Sequence, residues 1–137
     1  MRFLLLSVWL FGICGHAAAQ QNCSEIDQFI QDGKVPSFAL LDNVSCGKSL
    51  TASNRISYHC AWEFDFRQSA SEAYFKKISE VVSACAKRDE TNEQSRVNHP
   101  DSYDQLNFER SGETISISLK DKAALQKTYV FLRSASQ

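Results

Sequence analysis

The densest cluster of proton-handling side chains is Asn98-His99-Pro100-Asp101-Ser102-Tyr103. A histidine with a carboxylate and a hydroxyl close by is the raw material of a hydrolase. Such triads are defined by geometry, however, and no Gly-x-Ser-x-Gly elbow accompanies this one. Pro100 and Asp101-Ser102 equally suit a loop entering a strand. Catalysis by His99 and Asp101 is therefore the alternative reading, and no catalytic residue is assigned. A second group, His59, Glu63 and Asp65, falls on odd positions of one segment. On a strand His59 and Glu63 would lie about 13 Å apart, too far to share a metal or a proton. No Gly-rich phosphate loop is present, and no cofactor is expected. Lys120, Lys122 and Lys127 form a small basic patch.

The chain has 137 residues, five cysteines and a formal charge of −1. That charge lacks the basic surplus of a nucleic-acid binder, so no nucleic-acid partner is expected. Met1-Arg2, an apolar run from Phe3 to Cys14, and Ala17-Ala18-Ala19 have the three-part pattern of a secretory signal peptide. Residues 1–19 are read as that signal, cleaved after Ala19, and residues 20–137 as a single domain. The apolar run is shorter than the roughly 20 residues that span a bilayer, so no transmembrane span is expected. The remaining chain carries a charge of −2 and four cysteines: Cys23, Cys46, Cys60 and Cys85. Four cysteines in a small exported chain read as two disulfides. With no Cys-x-x-Cys among them, and only His59 and His99 left as histidines, no metal site is expected.

The elements that must position these groups follow from periodicity. Ser24 can cap a short helix over 25–32, ended by Gly33, with Ile26, Phe29 and Ile30 as its stripe. Residues 56–66 alternate strictly, Ile56, Tyr58, Cys60, Trp62, Phe64 and Phe66 on one face, His59, Glu63 and Asp65 on the other. This predicts a strand. A hairpin centred on Ser53 pairs it with residues 46–50 and brings Cys46 opposite Cys60. The favoured disulfides are therefore Cys46 with Cys60 and Cys23 with Cys85; the rival pairs Cys60 with Cys85 and Cys23 with Cys46. Ser69 and Glu72 have capping-box spacing. Tyr74, Phe75, Ile78, Val81, Val82 and Cys85 then trace one face of a long helix, closed by Lys87 and Arg88. Residues 88–102 are polar and read as a loop.

Residues 103–110 and 113–120 flank Ser111-Gly112, a two-residue hairpin signature. Its register sets Phe108 beside Ile115 and Leu106 beside Ile117. Residues 126–133 read as a further strand, with Tyr129 and Phe131 beside Ile117 and Ile115. A C-terminal helix capped by Asp121 is the alternative.

The sum is an α+β, two-layer domain: an antiparallel sheet with one long helix on its apolar face, reinforced by disulfides. The expected core is Trp62, Phe64, Phe66, Tyr74, Phe75, Ile78, Val82, Leu106, Phe108, Ile115 and Ile117. Asn107, Glu109, Thr114, Ser116 and Ser118 face the other way and make a broad polar surface. The expected function is that of a small periplasmic or secreted binding module, possessing the size of an inhibitor or immunity protein. Its partner would be another protein or a small envelope ligand. The candidate binding residues are His59, Glu63, Arg96, His99, Ser116 and Ser118.

Overall fold

The computed structural model describes residues 14–52, 54–94 and 102–136. Helix α1 (Cys14–Asp32) is followed by a one-turn helix, Ser37–Ala39. Strands β1 (Val44–Leu50) and β2 (Ile56–Asp65) form a hairpin, and helix α2 (Ser69–Ser83) follows. Strands β3 (Lys87–Gln94), β4 (Tyr103–Arg110), β5 (Glu113–Lys122) and β6 (Lys127–Ser136) complete one six-stranded sheet. Its order is β1-β2-β6-β5-β4-β3, and every pairing is antiparallel. The fold is thus α+β, but two helices pack on the sheet where one was expected.

The apolar side of each strand meets the helices. Trp62, Ile78, Val82, Phe108, Ile115 and Ile117 are buried as expected, joined by Ile26, Phe29, Cys60, Leu119, Val130 and Leu132. Phe64, Phe75 and Leu106 are half-buried at the margin of this core. The Ala39 carbonyl, itself buried, accepts hydrogen bonds from the Trp62 indole (3.0 Å) and the Tyr74 hydroxyl (2.6 Å). Burial pushes the Tyr74 hydroxyl well above its ordinary pKa, so it remains a donor.

Both disulfides follow the favoured pairing, Cys46 with Cys60 and Cys23 with Cys85. The first joins directly opposed residues of β1 and β2. The second ties α1 to the segment after α2. Arg110 on β4 reinforces that tie. Its guanidinium grips both Asp27 carboxylate oxygens (2.6 and 2.7 Å) and donates to the Cys85 carbonyl.

Several expectations are corrected. Helix α1 already includes residues 14–24 rather than starting at residue 25, so Ser24 lies inside it and caps nothing. Gly33 does end it, with φ +75°, its N–H bonded to the Phe29 carbonyl. The capping box at Ser69 and Glu72 does not form: Gln68 is the N-cap and offers no side-chain bond. Helix α2 stops at Ser83, short of the expected Lys87 and Arg88, and Cys85 beyond it is held by its disulfide and by Arg110.

Half of the supposed loop is strand β3. Its Lys87, Arg88, Asp89 and Glu90 suit a sheet edge, where charge discourages pairing with another chain. The Asp89 carboxylate accepts from the Thr91 N–H and hydroxyl, and the register shifts between Asp89 and Gln94.

The β4–β5 register is as expected, with Ser111 and Gly112 both left-handed at the turn. The β6 register is not. Ile117 faces Leu132 and Ile115 faces Ser134, so Tyr129 and Phe131 lie on the opposite side of the sheet. The connection contains a one-turn helix, Ala123–Leu125, and a left-handed Gln126 (φ 52°). An odd shift of register exchanges the two faces of a strand.

Two measurements test this packing. A Cβ on Gly33 would meet the Tyr58 ring at 2.3 Å, whereas one on Gly112, at a similar φ of +78°, would meet nothing within 4 Å. Gly33→Ala should cost about 2–4 kcal/mol in urea unfolding, from strain and overpacking together. Gly112→Ala should cost only about 1–2 kcal/mol. Equal losses would contradict the Gly33–Tyr58 contact.

The Arg110 hydrogen bonds hold the Asp27 carboxyl below its ordinary pKa. The stabilisation is therefore complete above the ordinary carboxylate pKa and lost as pH falls through the lowered one. Asp27→Asn should lower stability at pH 7 by no more than about 1 kcal/mol, after solvent screening. The difference from wild type should close below about pH 4. A gap unchanged with pH would contradict the pairing.

Candidate functional site

Both helices pack against one face of the sheet, through β2, β4, β5 and β6. The other face carries the odd-numbered residues of β2, β4 and β6 and the even-numbered ones of β5 from Thr114 to Lys120. Direct pairing aligns His59 with Arg133 and Arg133 with Ser116 across this face. The next row sets Ala61, Phe131, Ser118 and Gln105 side by side. A third row sets Tyr129, Lys120 and Tyr103 together. Between these rows is a cleft of about 370 Å³, lined by His59, Ser116, Ser118, Lys120, Phe131 and Arg133, among others. That volume suits a small ligand.

The floor of the cleft is pre-ordered by a hydrogen-bond chain. Tyr103 donates to the Gln105 side-chain oxygen. Gln105 donates to Asn107 Oδ1 (2.8 Å), which also accepts from the Ser116 hydroxyl (2.8 Å). Arg133 donates through Nε to the buried Ser57 hydroxyl (3.0 Å), which in turn donates to the Ser134 carbonyl (2.6 Å). One edge of the guanidinium is thereby fixed. Tyr129 and Phe131 stack with centroids 5.9 Å apart. Lys120 Nζ lies 4.6 Å from the Tyr103 ring centroid and 5.5 Å from that of Phe131. The His59 imidazole lies against Gly47 of β1, the only residue type without a Cβ to obstruct it. A Cβ there would sit 3.0 Å from Nε2.

Charge is unevenly matched over this face. Lys127 pairs with Glu63 (3.1 Å) and Asp65 (3.2 Å), and these bonds raise its pKa. Lys120 and Arg133 meet no carboxylate among the described residues. Burial, and then the nearby charges of Lys122 and Arg133, lower the pKa of Lys120.

Of the candidate binding residues, His59, Ser116 and Ser118 are brought together here. Glu63 shares the face but is engaged at its far end by Lys127 and by the Tyr129 hydroxyl (3.2 Å). Arg96, His99 and Asp101 lie outside the described residues. Ser102, next to that last pair in sequence, is buried and donates to the buried Asp121 carboxylate. Asp121 also accepts from Thr128 (2.8 Å) and Arg67 (3.0 Å), so it braces the end of the sheet. Among the described residues no cluster of His, Cys, Asp and Glu could hold a metal. Phe131 and Arg133 were missed as site residues, and Lys120 was read only as part of a basic patch with Lys122 and Lys127. The signal for Phe131 and Arg133 was their shared parity: Thr128, Val130, Leu132 and Ser134 are the buried set, leaving Tyr129, Phe131 and Arg133 outward.

A second cavity, of about 410 Å³, lies between α1 and residues 34–40. Its one carboxylate, Glu25, already accepts the Ser37 N–H (2.6 Å) and hydroxyl (2.7 Å), which lower its pKa. That carboxylate is thus already engaged by the chain itself. Comparison with known proteins adds no assignment: no family model matches the chain, and no curated protein does.

Gly47→Ala should push the His59 ring off β1 and shift its imidazole NMR resonances. The unfolding free energy should change by no more than about 1 kcal/mol, since β1 is an exposed edge. Unmoved His59 resonances would contradict the contact.

Proposed function

We propose that the chain is a small exported binding module whose partner, a protein or a small envelope ligand, sits on the helix-free face of the sheet. The observation that carries this reading is the cleft around Ser116 and Ser118, pre-ordered and covered by no helix among the described residues. A polar floor held by its own hydrogen bonds gives up little conformational entropy on binding. The polar groups there bond to one another rather than pointing at one reacting atom, which favours recognition over turnover.

Export to the periplasm or the exterior is supported by two further observations. Both disulfides belong to an oxidising compartment. Residues 17–20 are exposed on α1, so cleavage after Ala19 would break no buried contact at that junction. Among the described residues no helix is long and apolar enough to cross a membrane.

Ser116→Trp would fill the cleft at a position where an aromatic side chain suits a strand. Immobilised wild-type protein should recover a stoichiometric partner from the native envelope or secretion fraction. Ser116→Trp should lose it while still unfolding cooperatively, and Lys76→Trp, on the solvent side of α2, should keep it. Undiminished recovery by Ser116→Trp would overturn the reading. So would ester hydrolysis by the wild type that is abolished in His99→Ala.

A further inference from the structure

The chemical class of the ligand follows from the side chains that remain unmatched. Lys120 and Arg133 stand in the two rows that flank the one containing Phe131 and Ser118. Each lines the same cleft, and among the described residues the cleft lining includes no carboxylate. This is local: the chain as a whole carries a formal charge of −1. The contrast with Lys127 is direct, because two carboxylates already satisfy that cation on the same face. The Lys120 ammonium rests instead on the Tyr103 and Phe131 rings. Cation–π contact holds an ammonium in place without neutralising it.

We propose that this cleft takes a small, water-borne organic anion, its acidic oxygens lying between Lys120 and Arg133 and its planar body lying on Phe131. This rests on the binding role of the face and deepens it.

Four features support the assignment. Arg133 is anchored through Nε to Ser57, leaving its terminal nitrogens on the cleft side to offer a forked pair of donors, the geometry that suits carboxylate and phosphate oxygens. An anion would also offset the charges of Lys122 and Arg133, which, after burial, lower the Lys120 pKa. Phe131, half-buried and stacked on Tyr129, offers a fixed ring against which a planar group can lie. The volume of about 370 Å³ matches a small molecule rather than a segment of membrane.

The test titrates full-length, isotope-labelled protein with phenyl phosphate, and separately with phenol as the uncharged counterpart. Phenyl phosphate should shift the amide resonances of Ser116, Ser118, Lys120 and Arg133, and phenol should bind about tenfold more weakly or not at all. Combining Lys120→Met with Arg133→Gln should weaken phenyl phosphate binding by about tenfold or more. The double variant's melting transition, measured in parallel, shows whether it is folded. If it is not, Lys120→Met alone carries the test, with the same direction expected. Equal binding of phenol and phenyl phosphate would overturn the proposal, as would undiminished binding by the folded variant. Binding to phosphatidylglycerol vesicles without binding of phenyl phosphate would also overturn it. These failures are separable from failure of the binding role itself, which is read by partner recovery with Ser116→Trp.

Discussion

One buried carbonyl organises the inner half of the molecule. Ala39 sits in a single helical turn, and its oxygen accepts from an indole on β2 and a phenol on α2. A backbone carbonyl sealed from water is costly if left unmatched, and here two aromatic donors satisfy it. The same two rings pack with centroids 5.3 Å apart, so burial and hydrogen bonding fix the same geometry. Three segments distant in sequence are thereby locked on one side of the sheet. The Cys23–Cys85 bond and the Arg110 grip on Asp27 hold α1 against the same side.

The openness of the other face follows from that arrangement. A six-stranded sheet has two surfaces, and both helices are committed to one. Antiparallel strands tolerate this, since alternation lets one face be apolar and the other wet. The wet face differs from a merely solvated one because its polar groups are bonded to one another. Tyr103, Gln105, Asn107 and Ser116 form a continuous chain. Lys127 is matched by Glu63 and Asp65 at one end, whereas Lys120 and Arg133 meet no carboxylate among the described residues. Gly47 admits the His59 ring at the margin.

Much of this was legible in the residue pattern. The β2 alternation, the β1–β2 register with its Cys46–Cys60 bond and the β4–β5 hairpin were read correctly, because each rests on local periodicity or on a short turn; the favoured Cys23–Cys85 bond was what remained once Cys46 faced Cys60. His59, Ser116 and Ser118 were identified as outward polar residues for the same reason. What failed depended on contacts between distant segments. Strand β3 is polar throughout its first half, and only its pairing with β4 makes it a strand. The segment just beyond α2 is held by Cys23 and Arg110, neither of which is near it in sequence. The β6 face was misassigned because a one-turn helix and a left-handed Gln126 decide the register.

By itself, then, the sequence determined the secondary elements with strong period, the hairpin that opposes Cys46 to Cys60, and the polar character of one sheet face. Those features arise from side-chain alternation and turn chemistry, which act over a few residues. Only the tertiary structure decided that β6 enters between β2 and β5, setting Phe131 and Arg133 beside His59, Ser116 and Ser118. It also decided that Lys120 leans over Phe131 while Lys127 is neutralised. The physical reason is that facing in a strand has a period of two. A change of one residue in the connection places an entire row of side chains either in the core or in the cleft.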